Sequence, residues 1–311
     1  MAGEPDFGLG NAGALALSEN NSLLFVVNPG SGDVSVFAVK KKGLQLLDRE
    51  SSGGKEPLSV TVNQNLVYVL NAGGNVGASD NITGLVVNGE GKLSRVPNST
   101  RHLSAAVTAP AQIKFTPDAR VLVVTEKTTN IIDTYAVGRD GRATGHILTP
   151  SKAQTPFGFY LSNRNQLFVS DDFNDAPGAG ALSSYLVSGD GHLRLVSSAV
   201  RANESGACRT VVSNDGRFAY ISNTVSSTIS LYTINKRDGS VTFDKSFQSL
   251  FSPTDLEFSR DGRFLYVLNP DQNLKGTPGI TVFRMNPRDG SLIPLPGVSG
   301  LPRSVDGLVA R

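Results

Sequence analysis

Charged side chains alternate with apolar ones in several short, β-prone segments of the sequence. Asp255 and Glu257 stand on either side of Leu256. If the segment is a strand, both carboxylates point to the face opposite the apolar residue. The charged residues that this alternation places on one predicted face are Lys114, Arg209, Asp255, Glu257 and Asp306. Two cations and three carboxylates on such a face could bind a small anionic ligand, or neutralise one another as ion pairs in a water-filled channel.

Uncharged polar residues fall on the same predicted face. Gln112 lies two positions before Lys114, and Tyr160 lies between Phe159 and Leu161. An amide and a phenol beside charged groups are typical of a site that orients a small ligand. The residues predicted to bind this ligand are Gln112, Lys114, Tyr160, Asp255 and Asp306.

A second column of polar residues is formed by the last residue of the strand that follows each of these segments. Its members are Asn28, Asn71, Glu126, Asp171, Asn223 and Asn269. Asn and Asp at strand ends commonly bond to the backbone of their own loop, which is a structural role. Glu126 departs from the pattern and is followed by Lys127. It is therefore a candidate catalytic base, with a salt bridge at the rim as the alternative.

The segments belong to an internal repeat of roughly fifty residues, at the long end of propeller repeats. Each copy is predicted to contain four strands. A turn such as Asp261-Gly262 joins the first two, and a second turn such as Asp289-Gly290 joins the third to the fourth. Copies occupy 13–47, 57–93, 110–147, 156–195, 207–243 and 252–292, and a seventh begins at 301–311.

A single four-stranded sheet cannot bury both of its faces, so the copies must stack on one another. The repeat therefore predicts an all-β fold, a seven-bladed β-propeller of four-stranded antiparallel blades whose seventh blade is incomplete. We expect one domain over 1–311, with 1–12 as a tail and 301–311 as the inner strand of the incomplete blade.

Composition excludes several classes of function. The 29 basic and 27 acidic residues leave a net charge of +2, which argues against nucleic acid as a partner. No apolar run approaches the ~20 residues of a membrane span, so no membrane partner is predicted. A single cysteine excludes an internal disulfide. No nucleophile elbow, phosphate loop or Cys/His cluster occurs, so neither a metal nor a cofactor is predicted.

The incomplete blade carries two further expectations. It would leave the sheet edges of its neighbours open, which predicts self-association at that gap. Its missing strands also bear on location. If Met1 is the true start the protein is expected to be cytoplasmic, whereas an upstream segment would favour a secreted or periplasmic protein.

The repeat resembles the lactonase family of seven-bladed β-propellers, which includes bacterial 6-phosphogluconolactonase and fungal carboxymuconate cyclase. The resemblance rests on Ser-Arg-Asp-Gly-Arg-Phe-Leu-Tyr-Val-Leu-Asn at 259–269 and its copies, and it covers 13–311. The stretches at 13–18, 125–127, 155–159 and 300–302 are similar to a bacterial subgroup of unassigned activity. The resemblance implies a small lactone or sugar acid as the ligand, hydrolysed or isomerised at the mouth of the channel.

The catalytic residues that this resemblance implies are only partly present. Phosphogluconolactonase-like members carry a histidine at the start of two inner strands, where this chain has Ala111 and Arg209. The histidines it does have, His102, His146 and His192, fall in predicted outer strands or turns.

A lactonase needs a base for water or a group that polarises the carbonyl. Arg209 could hold a carboxylate or the lactone oxygen, and Glu126 or Glu257 could act as the base. The catalytic residues predicted on this interpretation are Glu126, Arg209 and Glu257. The alternative is a non-catalytic propeller that binds a small ligand or a protein partner through its loop face.

Overall fold

The computed structural model describes residues 10–270 and 276–311, and in these ranges the protein is built of β-strands. One short 3-10 helix, Gly73–Val76, is the helix among them, and it is neither long nor apolar enough to cross a membrane. The strands of the first three sheets are β1 (Leu15–Leu17), β2 (Leu23–Asn28), β3 (Asp33–Lys40), β4 (Gly43–Ser51), β5 (Pro57–Asn63), β6 (Leu66–Asn71), β7 (Asn81–Val87), β8 (Leu93–Arg95), β9 (Arg101–His102), β10 (Pro110–Phe115), β11 (Val121–Glu126), β12 (Ile131–Val137) and β13 (Ala143–Pro150). Those of the next three are β14 (Pro156–Leu161), β15 (Gln166–Asp171), β16 (Gly180–Val187), β17 (Leu193–Glu204), β18 (Ala207–Val212), β19 (Phe218–Asn223), β20 (Thr228–Ile234), β21 (Val241–Gln248), β22 (Asp255–Phe258), β23 (Phe264–Asn269), β24 (Gly279–Met285) and β25 (Leu292–Ser299).

These strands form six antiparallel sheets, each of four consecutive strands in chain order. The second sheet carries β9 as a fifth strand, paired with β7. The first three sheets lie in one compact unit, which spans Asn11–Pro150 and includes Ser188–His192. The other three lie in a second unit, built from Ser151–Val187 and Leu193–Arg311. The predicted all-β class and the predicted four-stranded antiparallel repeat are confirmed, and the prediction of a single domain stays a prediction.

In each unit one pair of adjacent sheets is joined by a tyrosine of one sheet and a glycine turn of the other. In the second unit the Tyr220 hydroxyl donates to the Gly290 carbonyl at 2.7 Å. Gly290 has φ +74°, and a Cβ there would lie 2.7 Å from the Phe218 ring, so only glycine fits the turn. In the first unit Tyr68 makes the same bond to Gly141 at 2.9 Å.

The apolar core lies between the faces of adjacent sheets. The apolar residues that alternate with the predicted site residues point into this core: Ile113 and Phe115 pack in one cluster, Leu256 and Phe258 in another. Phe258 also meets Tyr220 edge-on, with ring centroids 5.5 Å apart. In β10 and β22 the period-two alternation of the sequence therefore predicted the side chains that face the apolar core.

The prediction of an incomplete seventh blade was wrong. Residues 301–311 form no strand, and the sheets in the described ranges number six. A strand exists only where a partner strand takes its backbone hydrogen bonds. Here the Leu301 amide donates to the Pro278 carbonyl, Val305 to Pro302, and Leu308 to the Asp255 side chain. The segment is instead a turn-containing tail that docks against the last sheet.

The predicted tail at 1–12 lies mostly outside the described residues. Its last two positions pack into the first unit: the Ala12 amide donates to the Ala111 carbonyl at 2.9 Å, and the Asn11 side chain bonds to the Leu58 carbonyl. Both residues are buried. This end of the predicted tail is therefore part of the core.

Candidate functional site

Arg209 owes its position to a bulge at the start of β18. The pairing of β18 with β19 shifts register between Ala207 and Thr210, which leaves Cys208 and Arg209 out of the regular ladder. A bulge bends the strand and turns a side chain away from its expected direction. The Arg209 amide is held by the Ser222 hydroxyl at 3.1 Å. Similar shifts follow Pro57, Pro110 and Pro156, so the bulge is a feature of the repeat.

Arg209 and Asp255 form a buried ion pair in the second unit. Arg209 Nε lies 3.1 Å from Asp255 Oδ1, and the two side chains are 9% and 6% exposed. The N–H at Nε is nevertheless not aligned to donate a hydrogen bond, and neither Nε nor Nη1 has a hydrogen-bond partner in the described structure. Burial raises the pKa of Asp255, while the Arg209 charge and two backbone amides act against that rise. Arg209 therefore has donor capacity left for a ligand.

Asp306 adds a second carboxylate beside Asp255. Its Oδ1 accepts the Gly307 amide at 2.9 Å, whereas its Oδ2 is shielded from solvent and has no hydrogen-bond partner among residues 10–270 and 276–311. Burial and repulsion from Asp255 raise the pKa of Asp306 to about 6. The Leu308 amide meanwhile donates to Asp255 Oδ2 at 2.9 Å. The docked tail thus supplies one carboxylate to this cluster and fixes the other.

Glu257 and Tyr160 lie in the same unit. Glu257 is half-buried on β22, and its carboxylate accepts the Phe258 amide at 3.2 Å. Burial raises the pKa of the Tyr160 phenol, and the nearby Glu257 charge adds to the rise. Tyr160, Arg209, Asp255, Glu257 and Asp306, five of the predicted site residues, therefore share one unit.

The remaining predicted site residues, Gln112, Lys114 and Glu126, belong to the first unit. Gln112 is buried on β10, and Lys114 is half-buried on the same strand. Both take part in contacts there, so neither is free of partners. Their assignment as ligand-binding residues stays a prediction.

Glu126 is fully buried at the end of β11. One carboxylate oxygen accepts the Ser104 amide at 3.1 Å, and the other accepts the hydroxyls of Ser104 and Thr129, the latter at 2.6 Å. These contacts join β11 to the loop before β10 and to the turn after β11. They give Glu126 a structural role, and its assignment as a catalytic base stays a prediction.

The other members of the polar column make related contacts. Asn223 donates to Ser230 and Thr228, and Asn269 donates to Thr281, each bond reaching across to the third strand of the sheet. The Asp171 carboxylate accepts the Ser183 hydroxyl at 2.6 Å in the same way. The expected bonds to loop backbone are therefore largely replaced by bonds between side chains of adjacent strands.

A dyad that the sequence analysis missed lies on the outer part of the third sheet. His146 Nδ1 is 3.1 Å from Asp133 Oδ2, which also accepts the Tyr135 hydroxyl at 2.6 Å. Burial raises the pKa of Asp133 to about 6. The pairing of β12 with β13 brings the two residues together, so strand alignment within the repeat could have revealed it. Within 10–270 and 276–311, no group of three or more His, Cys, Asp or Glu residues is placed to hold a metal ion.

The sequence and the fold of the chain match those of known proteins. The chain is 22% identical to the 6-phosphogluconolactonase of Bacillus subtilis over 314 aligned residues, covering 96% of this chain and 86% of that protein. Among solved structures it resembles the periplasmic gluconolactonase of Pseudomonas aeruginosa, with a TM-score of 0.75 and 18% identity over 91% of this chain and 84% of the other.

A protein of unknown function from Desulfotomaculum acetoxidans also matches, with a TM-score of 0.71 and 16% identity over 92% of this chain and 84% of the other. At such identities the structural likeness shows the fold alone. The model of the family described as "Lactonase, 7-bladed beta-propeller" matches residues 4–105 and 191–305, which is more than half of the sequence. The chain therefore belongs to the lactonase family of β-propellers.

Proposed function

We propose that this protein hydrolyses a small lactone that carries an anionic group, at the cluster of Arg209, Asp255 and Asp306. Membership of the lactonase family supports a lactonase-type role. The observation that carries the proposal is the buried guanidinium of Arg209, which sits beside a carboxylate yet keeps Nε and Nη1 without hydrogen-bond partners. A buried donor left unpaired costs free energy, and a ligand oxygen would satisfy it.

The chemistry assigned to the cluster needs a polarised carbonyl, an activated water and a protonated leaving group. The Arg209 guanidinium stabilises the negative charge that develops on the carbonyl oxygen as water attacks. The Asp306 carboxylate accepts the proton of that water. The ring C–O bond then breaks, and the Asp306 carboxyl returns the proton to the ring oxygen. The product is the open hydroxy acid.

Asp306 fits the role of base better than Glu257. Its Oδ2 has no hydrogen-bond partner in the part of the chain that the structure describes, and its pKa is raised to about 6, close to the range in which a general base works at neutral pH. Asp255 is the positioning residue, since it contacts Arg209 and the Leu308 amide.

The second candidate is binding of a hydroxy acid or lactone without turnover. It is favoured by Ala111 and Arg209, which stand where the phosphogluconolactonase-like members carry histidine. A planar carboxylate is a good ligand for arginine because both can bond through two parallel contacts.

The test is to follow hydrolysis of muconolactones, which carry a carboxylate, and of aldonolactones, which are uncharged, together with the heat of binding of the corresponding hydroxy acids. The muconolactones are the expected substrates. Asp306→Asn should abolish turnover and retain binding, whereas Glu257→Gln should retain both. Arg263→Ala is the matched control, because Arg263 is an exposed arginine of the last sheet paired with Asp261. Turnover that survives Asp306→Asn would remove Asp306 as the base, and binding without turnover in the wild type would establish the second candidate.

A further inference from the structure

A polar cavity lies in the second unit, between the fourth and fifth sheets. It is formed mainly at the turns that join the first two strands of each of these sheets. Its volume is about 200 Å³. Its lining includes Tyr160, Ser162, Arg164, Ser213, Asp215 and Lys236. We name this cavity the 160–236 crevice. Arg209, Asp255 and Asp306 do not line it, so it is separate from the proposed lactone site.

Two cations stand at the 160–236 crevice. Arg164 Nη1 donates to the backbone carbonyl of Lys236 at 3.0 Å, which fixes the guanidinium beside the residue that carries the ammonium group. Among the described residues neither Arg164 nor Lys236 forms an ion pair.

The one carboxylate of the lining is already neutralised. Asp215 Oδ2 accepts from Arg217 Nε at 2.6 Å, and its other oxygen accepts the Ser213 hydroxyl at 2.7 Å. The crevice therefore presents two like charges without a counter-charge, an arrangement that a bound anion would relieve.

The repeat itself provides a comparison. The equivalent crevice of the first unit is lined by Ser18, Glu19, Asn20, Ser22, Leu23, Gln64, Asn65, Val87, Asn88 and Gly89. Asn20 takes the place of Arg164 in the turn, and Asn88 and Gly89 take the place of the segment that contains Lys236. Among the described residues this lining has no cation. The positive charge of the 160–236 crevice therefore does not follow from the propeller architecture.

We propose that the 160–236 crevice is a second ligand site, specific for a small phosphomonoester. A phosphomonoester carries a charge between about −1.5 and −2 at neutral pH, which matches one arginine and one lysine. The crevice is smaller than the roughly 300–1,000 Å³ of cavities that hold drug-sized ligands, so the rest of the ligand must be short. The guanidinium supplies a planar pair of donors to the phosphate oxygens, and the ammonium group supplies a point charge.

The test is titration of the full chain with glycerol 3-phosphate and with inorganic phosphate, followed by NMR or calorimetry. Arg164→Ala and Lys236→Ala should each weaken the binding of glycerol 3-phosphate by about tenfold, the effect of losing one charge-assisted contact. Both side chains are exposed, so these variants are expected to fold.

Two variants serve as controls. Arg237→Ala removes a neighbouring exposed arginine that does not line the crevice, and it should leave binding unchanged. Arg209→Ala, on a sample with the circular dichroism spectrum of the wild type, should also leave phosphate binding unchanged, which separates this proposal from the lactone site. Absence of binding in the wild type, or an equal loss in Arg237→Ala, would overturn the proposal. Equal affinity for glycerol and glycerol 3-phosphate would also overturn it.

Discussion

Arg209 Nε lies 3.1 Å from Asp255 Oδ1, and each of these two side chains is less than a tenth exposed. They come from the first strands of adjacent sheets, β18 and β22. Removing two charges from water costs several kcal/mol for each ion, and their attraction offsets the cost only when the geometry and the other hydrogen bonds are good. Here the hydrogen bonds of Arg209 are incomplete. The incomplete hydrogen bonding of this buried pair supports the proposed ligand site.

The first prediction concerns this ion pair. Arg209→Leu should lower the free energy of unfolding by about 3–5 kcal/mol, because it leaves a buried carboxylate without its counter-charge. The double variant Arg209→Leu/Asp255→Asn should recover part of the loss. Urea denaturation of the three proteins measures both effects. Arg263→Ala, an exposed arginine, should change the same quantity by less than about 1 kcal/mol. Equal losses in Arg209→Leu and Arg263→Ala would show that the pair is not buried as described.

The second prediction concerns Asp171, whose carboxyl is fully buried. Burial raises its pKa from 3.8 to about 8, although the Ser183 hydroxyl opposes the rise. The folded state therefore holds the proton that the unfolded chain releases near pH 4. The stability contributed by Asp171 is present below that pH and is lost as the pH rises toward 8.

Asp171→Asn cannot ionise, so it should melt at a higher temperature than the wild type at pH 8 and at a similar temperature near pH 4. Melting curves across this range measure the difference. Asp118→Asn, at an exposed turn, is the control and should track the wild type throughout. If the melting temperatures of the wild type and of Asp171→Asn differ by the same amount at every pH, the pKa of Asp171 is not raised as described.

The third prediction concerns the contact between the last two sheets. Tyr220→Phe removes the hydroxyl that donates to Gly290 and should cost about 1 kcal/mol of unfolding free energy, the usual net value of such a bond. Tyr266→Phe is the matched control, because the Tyr266 hydroxyl makes no hydrogen bond in the described structure and its removal should cost nothing measurable. Thermal and urea unfolding measure the free energy of unfolding of both variants. An equal loss in both would show that the hydrogen bond to Gly290 does not stabilise the protein.

The fourth prediction concerns the pH dependence of hydrolysis. Burial and repulsion from Asp255 raise the pKa of Asp306 to about 6, and only its deprotonated form can accept a proton from water. The value of kcat/KM should therefore be constant above this pH and fall by about tenfold per unit below it. Asp306→Asn should remove most of the activity, and the activity that remains should no longer fall below about pH 6. A profile that is flat between pH 4 and pH 8 would rule out Asp306 as the base.

The sequence was informative wherever the repeat imposes a pattern. Alternation of Asp255 and Glu257 with Leu256 and Phe258 predicted which side chains enter the core, because a strand has a strict period of two. The Asp-Gly turns predicted the hairpins, since glycine tolerates the positive φ seen at Gly290. The alignment of the repeats also predicted that Arg209 and Asp255 lie on neighbouring inner strands, close enough to pair.

The sequence was uninformative wherever a single contact outside the repeat decides the structure. Residues 301–311 carry the pattern of an inner strand but find side-chain and loop acceptors instead of a ladder, such as the Asp255 carboxylate for Leu308. The surroundings of Glu126 depend on Ser104, a loop residue more than twenty positions away whose approach no periodicity encodes. The charge of the 160–236 crevice was also missed, because Arg164 and Lys236 come from turns of different sheets.

Lactone hydrolysis that depends on Arg209 is tested most directly by the value of kcat/KM for muconolactone. It is measured in the wild type and in Arg209→Ala, on samples with the same circular dichroism spectrum. Loss of a group that stabilises the developing oxyanion should lower kcat/KM by about a hundredfold or more. Arg263→Ala should leave it unchanged. Equal values of kcat/KM in the wild type and in Arg209→Ala would show that Arg209 takes no part in the hydrolysis.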